Sequence, residues 1–419
     1  MLTKDSLKSI IWPIRHTEQM DAQKLKTNSK VCQSLRKESF DALFMLISAL
    51  IFYYVFSLLA KEDLFGPNSW DSYTLQSLAW LNGRTDLGRD YEWLELAIYN
   101  GKYYVSFPPV PSLVNLPFAL LFGENVPANL IVAIYGSVSI VLAYKIMMLC
   151  GRDGKSSAFW ALFLVWGSNM LWMTTEGGVW FQAQALNMLL CLAAVYSALK
   201  DRSTLSLAFS ALAVGCRPFS AVYLMFLALY FIRKHGLKSQ LRSYIIPALI
   251  ASSMMAYNYI RFGNVLEFGH NYLPEFTRSE NGQFSFSYLL PNLKNILFRI
   301  PVWENGALRP VHDGFCLFIA DPLFVVLAVH QVQNLISKNT DFTGVGLTAA
   351  MTANLLFLCM HKTMGGWQFG ARYTCDLLPF AYMYLALKGR LGRVAPWEFA
   401  VGIFAFLFNL FGAFYMHLA

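Results

Sequence analysis

The chain predicts an all-α membrane protein of about eleven transmembrane or partly inserted helices with two long extracytoplasmic loops. Three observations carry that prediction. Of its 419 residues 56% are hydrophobic, 16% aromatic and only 14% charged, with a mean hydropathy of +0.43, far from the make-up of a soluble domain. Apolar runs of roughly 17 to 24 residues recur, long enough as helices to cross a hydrocarbon core of about 30 Å. Their pattern lacks the short alternating segments of an outer-membrane barrel, so the spans are helical. Finally, the polar residues gather in two long loops, Lys61 to Pro108 and Arg261 to His312.

Residues 1–40 form a basic tail carrying Lys4, Lys8, Arg15, Lys24, Lys26, Lys30, Arg36 and Lys37, which is expected to stay in the cytoplasm. The apolar run from Asp41 to Ala60 reads as an uncleaved first span. Residues 41–419 then make one multi-pass membrane domain with outer loops 61–108 and 261–312. Further spans are expected at Val126 to Leu149, Ser156 to Thr175, Gly178 to Leu199, Ser243 to Ile260, Gly314 to Val332, Thr343 to Met360, Thr374 to Leu387 and Trp397 to Met416. Thr204 to Cys216 and Phe219 to Ile232 are short for full crossings, and Arg217-Pro218 between them predicts a helical hairpin whose tip approaches the outer face. Val110 to Phe122 would reach only about 20 Å as a helix, so it reads as interfacial or partly inserted.

Charge sets the orientation. Arg152, Lys155, Lys200, Arg202, Arg233, Lys234, Lys238, Arg242, Lys338, Lys388, Arg390 and Arg393 all fall in the inner connections, which leaves both long loops outside. The net charge of +8 is therefore a topology signal and an attraction to anionic membrane lipids; no basic stripe interleaved with aromatics calls for nucleic acid. The 7 cysteines are scattered through apolar runs without a CxxC or Cys/His cluster and read as core residues. There is no P-loop, no HExxH and no Gly-rich dinucleotide fingerprint, so ATP-driven, zinc-protease and NAD chemistry have no support, and no metal or other cofactor is expected.

The first outer loop is too long and too patterned for a connector. Trp70, Tyr73, Trp80, Tyr91, Trp93, Tyr99 and Phe107 stand among Asp71, Asp86, Asp90, Glu92 and Glu95. Asp71 to Leu81 has apolar residues at helical spacing and ends at Asn82-Gly83, so it predicts a helix on the membrane surface with Asp71 in its first turn. Asp71 there is either a catalytic carboxylate or a helix-end acid complementing the macrodipole.

A resemblance bears on that choice. An acid soon after the first span in Trp70-Asp71-Ser72-Tyr73-Thr74, then Tyr99 to Pro111 with its Pro108-Pro109 pair, then a short helix ending at Phe122-Gly123, resemble the opening of the C-type (GT-C) integral-membrane glycosyltransferases, relatives of protein O-mannosyltransferases and aminoarabinose transferases. The resemblance continues in Arg217-Pro218, in Arg261 to Tyr272 and in Gly365 to Tyr373, and so touches most of the chain. It implies a GT-C-like fold, Asp71 as catalytic base, a polyprenyl-phosphate-linked sugar as donor and an extracytoplasmic glycan, lipid or protein as acceptor. The setting it implies is a bacterial cytoplasmic membrane with the active site on the outer face. Some relatives carry paired acids where this chain has Asp71-Ser72, and many place Lys before Pro-Pro where this chain has Ser106-Phe107.

The chemistry can be argued without the family. A sugar on a polyprenyl phosphate is already activated, so the protein must deprotonate an acceptor hydroxyl and stabilise charge on the departing phosphate. Arg372, Arg309, Lys362 and Arg217 lie near the outer interface and are candidates for the phosphate, because Arg suits bidentate phosphate contacts and a cation kept there has a cost. Glu95, Glu267, His270, His312 and Trp367 are candidates for acceptor or sugar contacts. A transporter or flippase of a lipid-linked sugar is the alternative. Internal repeats and mid-span charges, expected for it, are not visible.

Overall fold

The computed structural model describes residues 38–304, 307–309, 314–366, 368–390 and 392–418. The chain divides at residue 48 into a short N-terminal unit and a main unit, Ala49–Ala419, which holds every element discussed after the first helix. Helix α1 runs Glu38–Ala60. The first loop then holds α2 (Ser72–Leu81), the strands β1 (Leu96–Tyr99) and β2 (Lys102–Val105), and α3 (Val110–Phe122). Next come α4 (Ala128–Leu149), α5 (Gly154–Trp166), the single turn α6 (Met170–Met173), α7 (Val179–Leu199), α8 (Ser203–Val214), α9 (Ala221–His235), the short α10 (Leu237–Gln240) and α11 (Ile245–Phe262). The second loop holds α12 (Pro274–Thr277), α13 (Phe286–Phe298), β3 (Val302–Glu304) and β4 (Ala307–Arg309). The chain closes with α14 (Leu317–Ala320), α15 (Leu323–Ile336), α16 (Phe342–Cys359), α17 (Leu378–Lys388) and α18 (Pro396–Leu418).

Among the described residues α1, α4, α7, α16 and α18 are each long and apolar enough to cross a membrane, while α3, α8 and α15 are apolar but shorter. The centre of the main unit is α4 against α5 and α7, with α8 on the far side of α7. Some 67% of the most apolar window of α4 and 72% of that of α7 is buried within the protein, against 28% for α18, whose remaining apolar surface suits lipid.

Three expected spans are interrupted. The run expected over Ser156 to Thr175 stops at Gly167, because the backbone amide of Asn169 donates to the Asp321 carboxylate (2.8 Å). The run from Gly314 to Val332 breaks at Asp321-Pro322, where proline supplies no amide to continue α14. The run from Thr374 begins as a tight 3₁₀ stretch, Arg372–Leu377, before α17. Within the long loops the structure adds two hairpins. Strands β1 and β2 pair antiparallel from Leu96 opposite Val105 to Tyr99 opposite Lys102, and Asn100 and Gly101 turn the corner with left-handed φ of 50° and 71°, as a two-residue hairpin needs.

Candidate active site

The two long loops and the ends of α6, α7, α8 and α16 enclose a cavity of about 790 Å³. One wall comes from the first loop and the α6–α7 turn and presents Trp70, Glu95, Glu176 and Trp180. The facing wall comes from the second loop and the segment after α16 and presents His270, Phe276, Phe284 and His361. Arg217, Arg372 and Tyr373 also line it.

The acidic wall is rigidly built. Asn129, near the start of α4, accepts from the Gly177 amide (2.7 Å) and from Asn68 (3.2 Å), and Asn68 in turn donates to Glu176 Oε1 (2.6 Å). The Gly178 amide adds a second donor to the same oxygen (3.0 Å). Burial pushes the Glu176 carboxyl up to about 7, against these donors, which pull it down. Glu95 sits where the chain enters β1 and accepts from the Trp180 indole (2.9 Å); burial raises its carboxyl too. Trp70 and Trp180 lie with ring centroids 5.6 Å apart and planes tilted by 40°, an apolar surface on the same wall as both carboxylates.

Asp71 has another use in the structure. It is the N-cap of α2: one carboxylate oxygen accepts from the Thr74 amide (3.1 Å) and the other from the Thr74 hydroxyl (2.5 Å). Its neighbour Trp70 lines the cavity, whereas Asp71, only 6% exposed, does not. The structure thus places the expected base, Asp71, at the head of α2 and not on the cavity surface. The acids that reach the cavity are Glu95, Glu176, Glu267 and Glu275.

The cations divide by their partners. Arg217 is spent on an intraprotein ion pair, donating through Nε (3.0 Å) and Nη2 (2.9 Å) to Asp376. Arg372 is 4% exposed and bonds the Gln184 side chain through Nη1 (3.5 Å) and the Gly365 carbonyl through Nη2, while its Nε has no hydrogen-bond partner among the described residues. The two guanidinium carbons lie 4.6 and 5.2 Å from the centre of the Tyr373 ring, which attracts both. Burial lowers the Arg372 pKa, the mark of a cation short of counter-charge. Arg217 is thus matched by Asp376, whereas no carboxylate is among the hydrogen-bond partners of Arg372 in the described residues.

The remaining candidates scatter. Lys362 turns to the Glu275 carbonyl (2.8 Å) and does not line the cavity. Arg309 ends β4. His312 and Trp367 lie outside the described residues. Glu267 accepts from the Gly269 amide (2.6 Å) and Asn271 (2.7 Å) at the cavity edge. His270 and His361 lie with ring centroids 6.0 Å apart, and burial pulls them down to about 4 and about 3, so both are neutral at physiological pH. Glu176, Trp180, His361 and Tyr373 were not among the sequence candidates. Glu176 carried one usable signal, an acid in a two-residue turn between apolar runs at the face expected to lie outside.

No family model matches the sequence, and no curated protein matches it significantly. Among solved structures the chain superposes on ArnT from Cupriavidus metallidurans bound to undecaprenyl phosphate, with a TM-score of 0.51 at 16% identity over 86% of this chain. It also aligns with the oligosaccharyltransferase of Archaeoglobus fulgidus, at a TM-score of 0.49 and 14% identity over 90% of this chain. The chain spans 62% of the length of ArnT and 54% of that of the oligosaccharyltransferase. At such identity the likeness to ArnT is one of fold alone.

Proposed function

We propose that the cavity transfers a glycosyl group from a polyprenyl-phosphate donor to a hydroxyl of an extracytoplasmic glycan, lipid or protein. The observation that carries this reading is a pair of carboxylates, Glu95 and Glu176, in the same cavity as an under-paired guanidinium, Arg372. That is the division of labour the reaction needs. The acceptor oxygen attacks the anomeric carbon, its proton passes to a carboxylate, and the bond to phosphate breaks with its electron pair going to the phosphate oxygen. Glu176 is the base, since an acid held near 7 is partly ionised at neutral pH and still basic enough to take a proton. Glu95 and the Trp70–Trp180 surface hold the acceptor or sugar, and Arg372 receives the phosphate.

The test supplies detergent-solubilised protein with a polyprenyl-phosphate sugar and crude envelope acceptors. Release of polyprenyl phosphate is expected, and it should fall at least about a hundredfold in both Glu176→Gln and Arg372→Ala. Complete retention of the donor across a broad acceptor panel overturns the reading, because detergent removes the two compartments that a flippase needs.

A further inference from the structure

Arg372 is held from behind by a closed ring of buried polar groups that never touches the cavity. Its backbone is gripped first: the Arg372 amide donates to Gln368 (2.7 Å), and Gln184 on α7 donates to the Arg372 carbonyl (2.8 Å). The residues on either side are pinned to distant parts of the chain. The Ala371 amide donates to Asn169 Oδ1 (2.7 Å), the Asn169 amide donates to Asp321 Oδ1 (2.8 Å), and the Thr374 hydroxyl donates to Asp321 Oδ2 (3.1 Å). The Thr374 hydroxyl and amide also return to the Ala371 carbonyl (2.7 and 2.9 Å), which closes the ring.

A fourth side chain ties this ring to the last span. Asn409 on α18 accepts from Asn169 Nδ2 (3.0 Å) and donates to the Ala320 carbonyl (2.9 Å). Asn169 and Asp321 are fully buried, and Thr374 and Asn409 are each 1% exposed. The loop is shaped around the Asn169 amide: Gly370 adopts a φ of +78°, and any Cβ there would collide with that side chain. Neither Asn169, Asp321 nor Thr374 lines the cavity. For Asp321 no basic side chain is among its hydrogen-bond partners in the described residues, so its ionised form is costly in this setting and packing alone gives no reason for it.

We infer that Asn169, Asp321 and Thr374 are positioning residues that fix the backbone of Ala371–Thr374 and so aim the Arg372 guanidinium at the donor phosphate. The inference rests on the phosphate role proposed for Arg372. Two features give it content beyond fold maintenance. The ring joins four parts of the chain at the loop that carries Arg372, and the same 3₁₀ stretch carries Asp376, which holds Arg217, so a shift of that backbone moves both guanidiniums. The affected ligand chemistry is therefore the phosphate alone.

The experiment measures binding of a polyprenyl phosphate and of the matching polyprenol to full-length protein in detergent, by quenching of tryptophan fluorescence. Wild type should prefer the phosphate. Asn169→Ala and Thr374→Val should each cut the ratio of phosphate to alcohol affinity by about tenfold or more while leaving alcohol affinity unchanged, and Thr374→Ser, which keeps the hydroxyl, should restore the ratio. Folded Asn169→Ala and Thr374→Val proteins that keep the wild-type ratio overturn the inference. Should Asn169→Ala not fold, the Thr374 pair decides alone, since valine keeps the shape of threonine and removes only the pin. Arg372→Ala is the control: a wild-type ratio there overturns the phosphate assignment itself.

Discussion

At the scale of the residue, position rather than burial separates the two candidate acids. Glu176 and Asp71 are both raised by burial, yet Glu176 lines the cavity while Asp71 spends its oxygens on Thr74. A base works only when ionised, and a carboxyl held at about 7 is protonated and idle below that pH. In the free enzyme kcat/KM should therefore rise with pH through about 7 and level above it, and Glu176→Gln should remove that limb along with most of the activity. A pH–rate profile of both proteins checks this. Asp71 makes the opposite prediction. Asn caps helices about as well as Asp, so Asp71→Asn should keep both stability and transfer, whereas Asp71→Ala should cost about 0.5–2 kcal/mol of stability by losing the cap. Thermal melts beside activity assays separate the two, and a folded Asp71→Asn protein without transfer would return the base to Asp71.

At the scale of the element, the wall that carries Glu176 depends on a close backbone approach. Gly177 packs against the first residues of α4 so tightly that a Cβ would strike the backbone of Ala128 and Asn129. Gly177→Ala should therefore cost about 1–3 kcal/mol, as overpacking does, and should also lower transfer by displacing Glu176. A melt that falls with no loss of specific activity in the folded fraction would show that the turn does not position the acid. Contacts of this kind explain what the sequence conceals. Span edges are legible because an apolar run is local: the helices expected from Val126 to Leu149 and from Gly178 to Leu199 run Ala128–Leu149 and Val179–Leu199. The break at Asn169 falls inside an apolar run and is held by a bond between residues 152 positions apart, whereas the break at Asp321 is marked locally by Pro322. Strands β1 and β2 are only four residues each and lie in an aromatic loop that offers no clean alternation. Of the residues singled out from the sequence, Arg372, Arg217, Glu95, Glu267 and His270 line the cavity, and they are legible as polar residues kept beside apolar runs. That Arg217 is neutralised by Asp376 could not be read in this way, because a side chain's partner is set by packing, whereas the helix-end use of Asp71 is one of the two readings that its position allows.

At the scale of the whole molecule, every proposed role depends on which side of the membrane the cavity faces. The donor and acceptor of the proposed reaction both lie outside, so the loops bearing Glu95 and Glu267 must be outside with them. Positive charge gives the independent argument. Arg152, Lys155, Lys200, Arg202, Arg233 and Lys234 lie at the ends of α4, α5, α7, α8 and α9 away from the cavity-lining residues, and a cluster of Lys and Arg holds its face in the cytoplasm. The prediction is that single cysteines placed at Asp90 and Asn281, on a background without the native cysteines, react with a membrane-impermeant maleimide in intact cells. Cysteines at Lys155 and Lys238 should react only after permeabilisation. All four positions are at the surface or in connections, so none should unfold the protein. The reverse pattern would put the cavity in the cytoplasm, where the same carboxylates and Arg372 could still serve a lipid phosphate but not an extracytoplasmic acceptor, and the proposed reaction would have to be abandoned while the fold stood.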